Sequence, residues 1–205
     1  MSHTPSKYPD TPEQSEWLKL TRQGHQAAFS NIVEKYQRPV YNLCFHMLRN
    51  PEDAEDAAQE VFLRAFARLD SYDPQRQFST WLFAIASHYC IDRLKRQRVS
   101  VAWDDVVDWY AGDETETAYP ERALLQAEIA HEAQRLLQTL RPDYRAVVIL
   151  KYWHTMSYEE IAQTLQTTVS VIKSKLFRAR RMMAQATTPR RPNQLAWTGM
   201  SLAAS

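Results

Sequence analysis

The stretch SYEEIAQTLQTTVSVIKSKLFRARR, Ser157 to Arg181, decides the fold class of this chain. It opens on Ser-x-x-Glu, a capping box in which Ser157 and Glu160 each satisfy the other's exposed backbone N–H at a helix start. Ile161, Ala162 and Leu165 follow at helical spacing. Gln166-Thr167-Thr168 has the length of a tight turn. A second periodic run then sets Ile172, Leu176 and Ala179 on one side, leaving Lys173, Lys175, Arg178, Arg180 and Arg181 for the other. A short capped helix, a turn of three to four residues and a basic second helix make a helix-turn-helix, whose second helix can enter a DNA major groove. Ala162 is small where two such helices cross closely. The turn position after Leu165 is left-handed in this motif. A non-glycine residue such as Gln166 costs on the order of 1–2 kcal/mol there.

Composition supports an all-α protein. The 205 residues include only three glycines, Gly24, Gly112 and Gly199, each isolated. Ordinary usage would supply about fourteen. Isolated glycines cannot write a phosphate-cradling loop or a dinucleotide fingerprint, and tight β-hairpins need residues with positive φ. The opening stretch MSHTPSKYPDTPEQ has no apolar core of the kind a secretory signal needs. The longest uncharged, apolar-leaning run, Phe78 to Ile91, falls short of the roughly 18 apolar residues of a membrane helix. No membrane insertion is expected. Cys44 and Cys90 fall in helical apolar patterns and are expected to be reduced core thiols of a cytoplasmic protein.

The net charge of +1 conceals a pattern. Residues 99–121 carry seven acidic and no basic side chains, while residues 122–205 are net +7 and residues 1–98 net +1. No acidic residue follows Glu160. Within the first segment, 50–73 has seven acids against two bases, and 74–98 one acid against five bases. Blocks of this kind create local fields of opposite sign on a nearly neutral molecule.

Periodicity divides the chain into two small helical domains. Residues 1–15 are polar and proline-punctuated and are expected to be a disordered tail. The first domain spans 16–98. Its first helical run is Phe29, Ile32, Val33, Tyr36, followed by Val40, Leu43, Cys44, Met47 and Leu48, with Pro39 expected to break or kink the helix near Arg38. After Asn50-Pro51 comes a strongly periodic helix, Ala54, Ala57, Ala58, Val61, Phe62, Ala65, Phe66 and Leu69, whose other face holds Glu52, Asp53, Glu55, Asp56, Gln59 and Glu60. A polar loop leads to a further helix, capped by Ser79 or Thr80, that carries Trp81, Leu82, Ile85, Ala86, Tyr89 and Leu94 and ends in a basic run. Residues 99–121 read as an acidic linker, residues 122–184 as the second domain with the helix-turn-helix, and residues 185–205 as a C-terminal tail.

These two domains together resemble the sigma subunits of bacterial RNA polymerase, and the small extracytoplasmic-function type in particular. The resemblance to sigma region two rests on Phe29-Ser-Asn-Ile-Val-Glu-Lys-Tyr36, Pro51-Glu-Asp-Ala-Glu-Asp-Ala-Ala-Gln-Glu-Val-Phe62, and Phe78-Ser-Thr-Trp-Leu-Phe-Ala-Ile-Ala86 through Asp92-Arg-Leu-Lys-Arg96. That to region four rests on Leu136-Leu-Gln-Thr-Leu-Arg-Pro142, Tyr158-Glu-Glu-Ile-Ala162 and Val171-Ile-Lys-Ser-Lys-Leu-Phe-Arg-Ala-Arg180. Gln166 and Ser170 depart from the pattern, standing where the family commonly has glycine.

The resemblance implies a promoter-specificity subunit without catalytic residues, cofactor or metal. Its partners would be core RNA polymerase (the β′ clamp and β), promoter DNA and, as is common for this type, an anti-sigma factor. Carried over by motif, Glu55, Asp56, Gln59, Glu60 and Arg64 would dock on polymerase. Phe78, Ser79, Thr80, Trp81, His88, Asp92, Lys95 and Arg96 would open and read the minus-ten element. Lys173, Ser174, Lys175, Phe177, Arg178, Arg180 and Arg181 would read the minus-thirty-five element. Two other readings are weaker. An operator-binding helix-turn-helix regulator explains 136–184 but not the acidic helix or the segment 78–98. A metal-dependent hydrolase on Glu52–Glu60 with His46 lacks paired histidines at ligand spacing.

Overall fold

The computed structural model describes residues 7–100 and 120–187, and every regular element among them is helical. Helices α1 (Pro12–Arg22), α2 (Gln26–Leu48), α3 (Pro51–Ala67) and α4 (Phe78–Ser100) form a first unit, with a 3₁₀ turn at Leu69–Ser71. Helices α5 (Pro120–Gln138), α6 (Pro142–Tyr152), α7 (Tyr158–Thr164) and α8 (Val169–Thr187) form a second. The acidic linker lies almost entirely outside the described residues, as does the C-terminal tail apart from the last turn of α8.

Local sequence explains most of the boundaries. Pro51 occupies the first turn of α3, Asn50 caps it by accepting the Asp53 N–H at 3.0 Å, and Glu52 and Asp53 sit where the helix dipole favours acids. Pro142 starts α6 in the same way. The Ser157 box is complete: Glu160 N–H donates to Ser157 Oγ at 3.1 Å, and Ser157 N–H donates to Glu160 Oε2 at 2.7 Å.

Three expectations are corrected. First, of the break or kink expected near Arg38, the break is absent: α2 continues through Pro39. Ile32, Tyr36, Val40, Leu43, Cys44 and Met47 keep one buried stripe across the proline. Burying these side chains outweighs the roughly 3 kcal/mol that an interior proline costs. Second, residues 7–15 are ordered rather than tail-like. Thr11 caps α1 by accepting the Gln14 N–H at 3.3 Å, Pro12 starts it, and Leu18 is buried. Third, Ser79 and Thr80 do not cap α4; they lie inside it and are buried. The cap comes from the distant Asp10, whose carboxylate accepts the Phe78 N–H at 3.1 Å.

The core of the first unit gathers Ile32, Tyr36, Leu43, Ala54, Val61, Phe62, Phe78, Leu82 and Phe83. Cys44 and Cys90 are free and buried, and their mutual hydrogen bond and burial push the Cys44 thiol up. The second unit packs Leu137, Leu140, Val147, Leu150, Ile161, Ile172 and Leu176. The two units meet along a continuous seam, with α6 on α2 and α4 and α7 on α4.

Candidate nucleic-acid interface

Helix α8 is amphipathic in the sense its spacing requires. Ile172, Leu176 and Ala179 are buried against α6 and α7. At 3.6 residues per turn, Ser174, Phe177, Arg178 and Arg181 then fall opposite, and all four are exposed. Phe177 is 69% exposed, which is unusual for a large aromatic in a small helical domain and natural on a surface that meets base edges or thymine methyls. Lys173 is also exposed and lies 5.7 Å from the Tyr158 ring. The remaining two cations flank the face. Lys175 is half-buried and pairs with Asp143 at 3.3 Å, while Arg180 Nε donates to the Tyr152 hydroxyl at 2.8 Å. The turn before α8 keeps its left-handed residue, with Gln166 at φ 50.

On α3, Glu55, Asp56 and Gln59 are exposed on one face. Glu60 is half-buried and held by Arg64, whose Nε donates to Oε1 at 2.6 Å and whose guanidinium lies 4.8 Å from the Tyr89 ring. Asp53 is paired with Arg93. The acidic row continues into Leu63 and Phe66, both exposed. Phe66 was expected inside the helix's apolar stripe; it closes instead one side of a groove of about 470 Å³ with Phe29 and Val33. Their spacing on from Asp56 and Gln59 was the available signal.

The start of α4 is covered. Phe78 is a core ring, 5.4 Å from Tyr36, 5.3 Å from Tyr72 and 5.5 Å from the half-buried Trp81. Thr80 is 5% exposed, and its carbonyl accepts the Thr164 hydroxyl of α7 at 3.4 Å. His88 is half-buried, whereas Asp92, Lys95 and Arg96 are exposed.

The seam uses residues that no local pattern singles out. Arg145 of α6 is buried, and its guanidinium donates to the Leu137 carbonyl in the last turn of α5, to the Leu140 carbonyl just beyond it and to the Met47 carbonyl at the end of α2. A cation is favoured there because carbonyls at helix C-termini carry the negative end of the dipole. Gln134 donates to the Phe45 and His46 carbonyls at 3.4 Å. Trp153 packs on His46 at 4.7 Å and His154 on Phe83 at 4.6 Å.

Residues 32–99 match the family Sigma-70 region 2, and residues 130–183 match Sigma-70, region 4. The chain is 36% identical over 169 residues to the ECF RNA polymerase sigma factor SigW of Bacillus subtilis, covering 80% of this chain and 90% of that one. It is 30% identical over 178 residues to the ECF RNA polymerase sigma-E factor of Escherichia coli, covering 84% and 93%. This chain is an extracytoplasmic-function sigma factor of the sigma-70 family. Such proteins direct RNA polymerase to promoters at transcription initiation. The fold of this sigma factor is similar to that of CnrH, solved with the cytosolic domain of CnrY (TM-score 0.62, 21% identity, 85% of this chain and 96% of that one). It is likewise similar to the sigma factor RpoE of Bartonella quintana, solved with the anti-sigma factor NepR (TM-score 0.61, 21% identity, 80% and 98%). Among the described residues, no helix of this sigma factor is long and apolar enough to cross a membrane.

Proposed function

We propose that this sigma factor divides promoter recognition between its helices and has no catalytic chemistry of its own. Helix α8 reads the minus-thirty-five element. Ser174, Phe177 and Arg178 meet base edges, while Lys173, Lys175, Arg180 and Arg181 meet phosphates. The observation that carries this reading is the outward face of α8, which holds an exposed aromatic among cations and no acid. Helix α4 works at the minus-ten element. Its half-buried Trp81 and His88 offer stacking faces, a sequence-tolerant contribution of about 1–3 kcal/mol per base. Lys95 and Arg96 supply phosphate contacts beside Asp92. Ser79 and Thr80 reach single-stranded DNA only after the second unit has left them, and Phe78 acts from the core by holding Trp81.

Docking on core polymerase, on the β′ clamp, falls to Glu55, Asp56 and Gln59 with the Glu60–Arg64 pair at their edge. Exposed acids of this kind steer association with a basic partner. The second unit works beside β. The acidic block at 99–121 connects the two units and keeps off the DNA by charge. An anti-sigma factor is the regulatory partner, and the protein acts in the cytoplasm.

Run-off transcription tests this division. Core polymerase with this chain should give promoter-dependent transcripts on genomic fragments, and core alone should not. Tight duplex binding by the chain alone, with no transcript on any fragment, would instead make it an operator-binding regulator.

A further inference from the structure

The N-terminal segment 7–11 lies across the seam. Lys7 Nζ donates to the Trp153 carbonyl of the second unit at 3.2 Å. The Tyr8 ring packs at 5.4 Å on Phe83 and 6.2 Å on Tyr36 in the first unit, and at 6.0 Å on His154 in the second. The Tyr8 carbonyl accepts Gln77 Nε2 at 3.2 Å and Ser79 Oγ at 3.4 Å. Asp10 accepts the Phe78 N–H at 3.1 Å. One short stretch therefore grips the first turn of α4 and the connection between α6 and α7 together.

The seam it crosses also leaves some buried polar groups unpaired. Both ring nitrogens of the buried His154 and the hydroxyl of Thr80 have no hydrogen-bond partner among the described residues. Buried polar groups in permanent interiors are almost always paired. On separation, water would satisfy these groups, which favours the parted units. The outward residues of α8 are exposed in this same arrangement, whereas Ser79 and Thr80 are covered.

We propose that residues 7–11 are an intramolecular latch. It closes the second unit over the start of α4, withholds Ser79 and Thr80 from single-stranded DNA while leaving α8 free, and comes away when core polymerase parts the units. The latch rests on the assignment of α4 to the minus-ten element given above.

The test is energy transfer between dyes at the exposed positions Gln23 and Gln163, each changed to cysteine. Cys44 and Cys90 are buried and stay unlabelled. A chain lacking residues 1–9 keeps Asp10 as the cap of α4 and Thr11 as the cap of α1. Removing the Lys7 hydrogen bond and the Tyr8 ring contacts should raise the ratio of open to closed molecules on the order of tenfold. Lys7→Ala with Tyr8→Ala should act in the same direction, and core polymerase should bring every form to the same low transfer. Unchanged transfer in both variants would overturn the latch. If the variants open but core polymerase does not open the intact chain, the latch's release by polymerase is overturned, and with it the access of Ser79 and Thr80 to single-stranded DNA, while the closing contact and the exposed Asp92, Lys95 and Arg96 of α4 stand. If the variants lose helix content, hydrogen exchange on the unmodified chain decides. The Phe78 amide, which donates to Asp10 of the latch, should lose protection when core polymerase is added, and retained protection there would overturn the proposal.

Discussion

Acid should open the molecule, and His154 sets how far. In the closed form its ring is buried between Tyr8 and Phe83 with no hydrogen-bond partner among the described residues. Burial holds its pKa down to about 3, and the nearby Lys7 ammonium and His46 push the same way. Once the units part, the ring faces water and returns to the ordinary value near 6.5. Between about pH 3 and pH 6.5 the open form therefore binds a proton that the closed form excludes. The closed form loses stability as the pH falls through this window and is unaffected above it. At pH 5 the difference is about 1.5 pH units, or about 2 kcal/mol at 1.36 kcal/mol per unit, a shift of about thirtyfold toward open molecules. Energy transfer across the seam at pH 7.5 and pH 5 measures it, with His154→Phe as the control. The phenyl ring keeps the packing against Phe83 and Tyr8 but cannot titrate, so the variant should stay closed at both pH values. If it opened in acid as far as the parent does, His154 would not be the group responsible.

Other outcomes follow from single residues. Arg178→Ala should cost roughly 1–3 kcal/mol at the minus-thirty-five element in holoenzyme binding assays, with discrimination lost at one base position; an equal loss on every sequence would make Arg178 a phosphate contact. Asp56→Arg should weaken association with core polymerase, and weaken it most at low salt where exposed charges act furthest, as titration of labelled core would record. Gln166→Gly should raise the stability of the second unit by about 1 kcal/mol, since glycine adopts the observed φ of 50 without the side-chain penalty; an unchanged or lower melting temperature would refute that account.

Short-range signals accounted for much of this architecture. The Ser157–Glu160 box and the stripe Ile172, Leu176, Ala179 are both local, involving neighbours within one or two turns, and the structure reproduces both. The misreadings have equally definite causes. Pro39 was weighed by its local cost, but the buried stripe on both sides of it keeps one register. Prolines and polarity make residues 7–15 look tail-like, although Thr11-Pro12 is itself a cap followed by a helix-starting proline; residues 1–6 lie outside the described residues. The cap of α4 was sought next to the helix and came from Asp10 instead. Phe66 repeats with the buried residues of α3 yet lies at the margin of its packed face, beside the groove.

Sequence alone determined the fold class, the presence of two units and the acid-free basic face of α8, because helical periodicity and charge blocks are properties of neighbours along the chain. Only the tertiary structure decided which of those faces are open. It set α7 on Thr80, buried His154 of the second unit between the Tyr8 and Phe83 rings across the seam, and brought Lys7 to the Trp153 carbonyl. Those contacts join positions up to 146 residues apart. They depend on how two helical faces distant in sequence come together, and no spacing within either face encodes that.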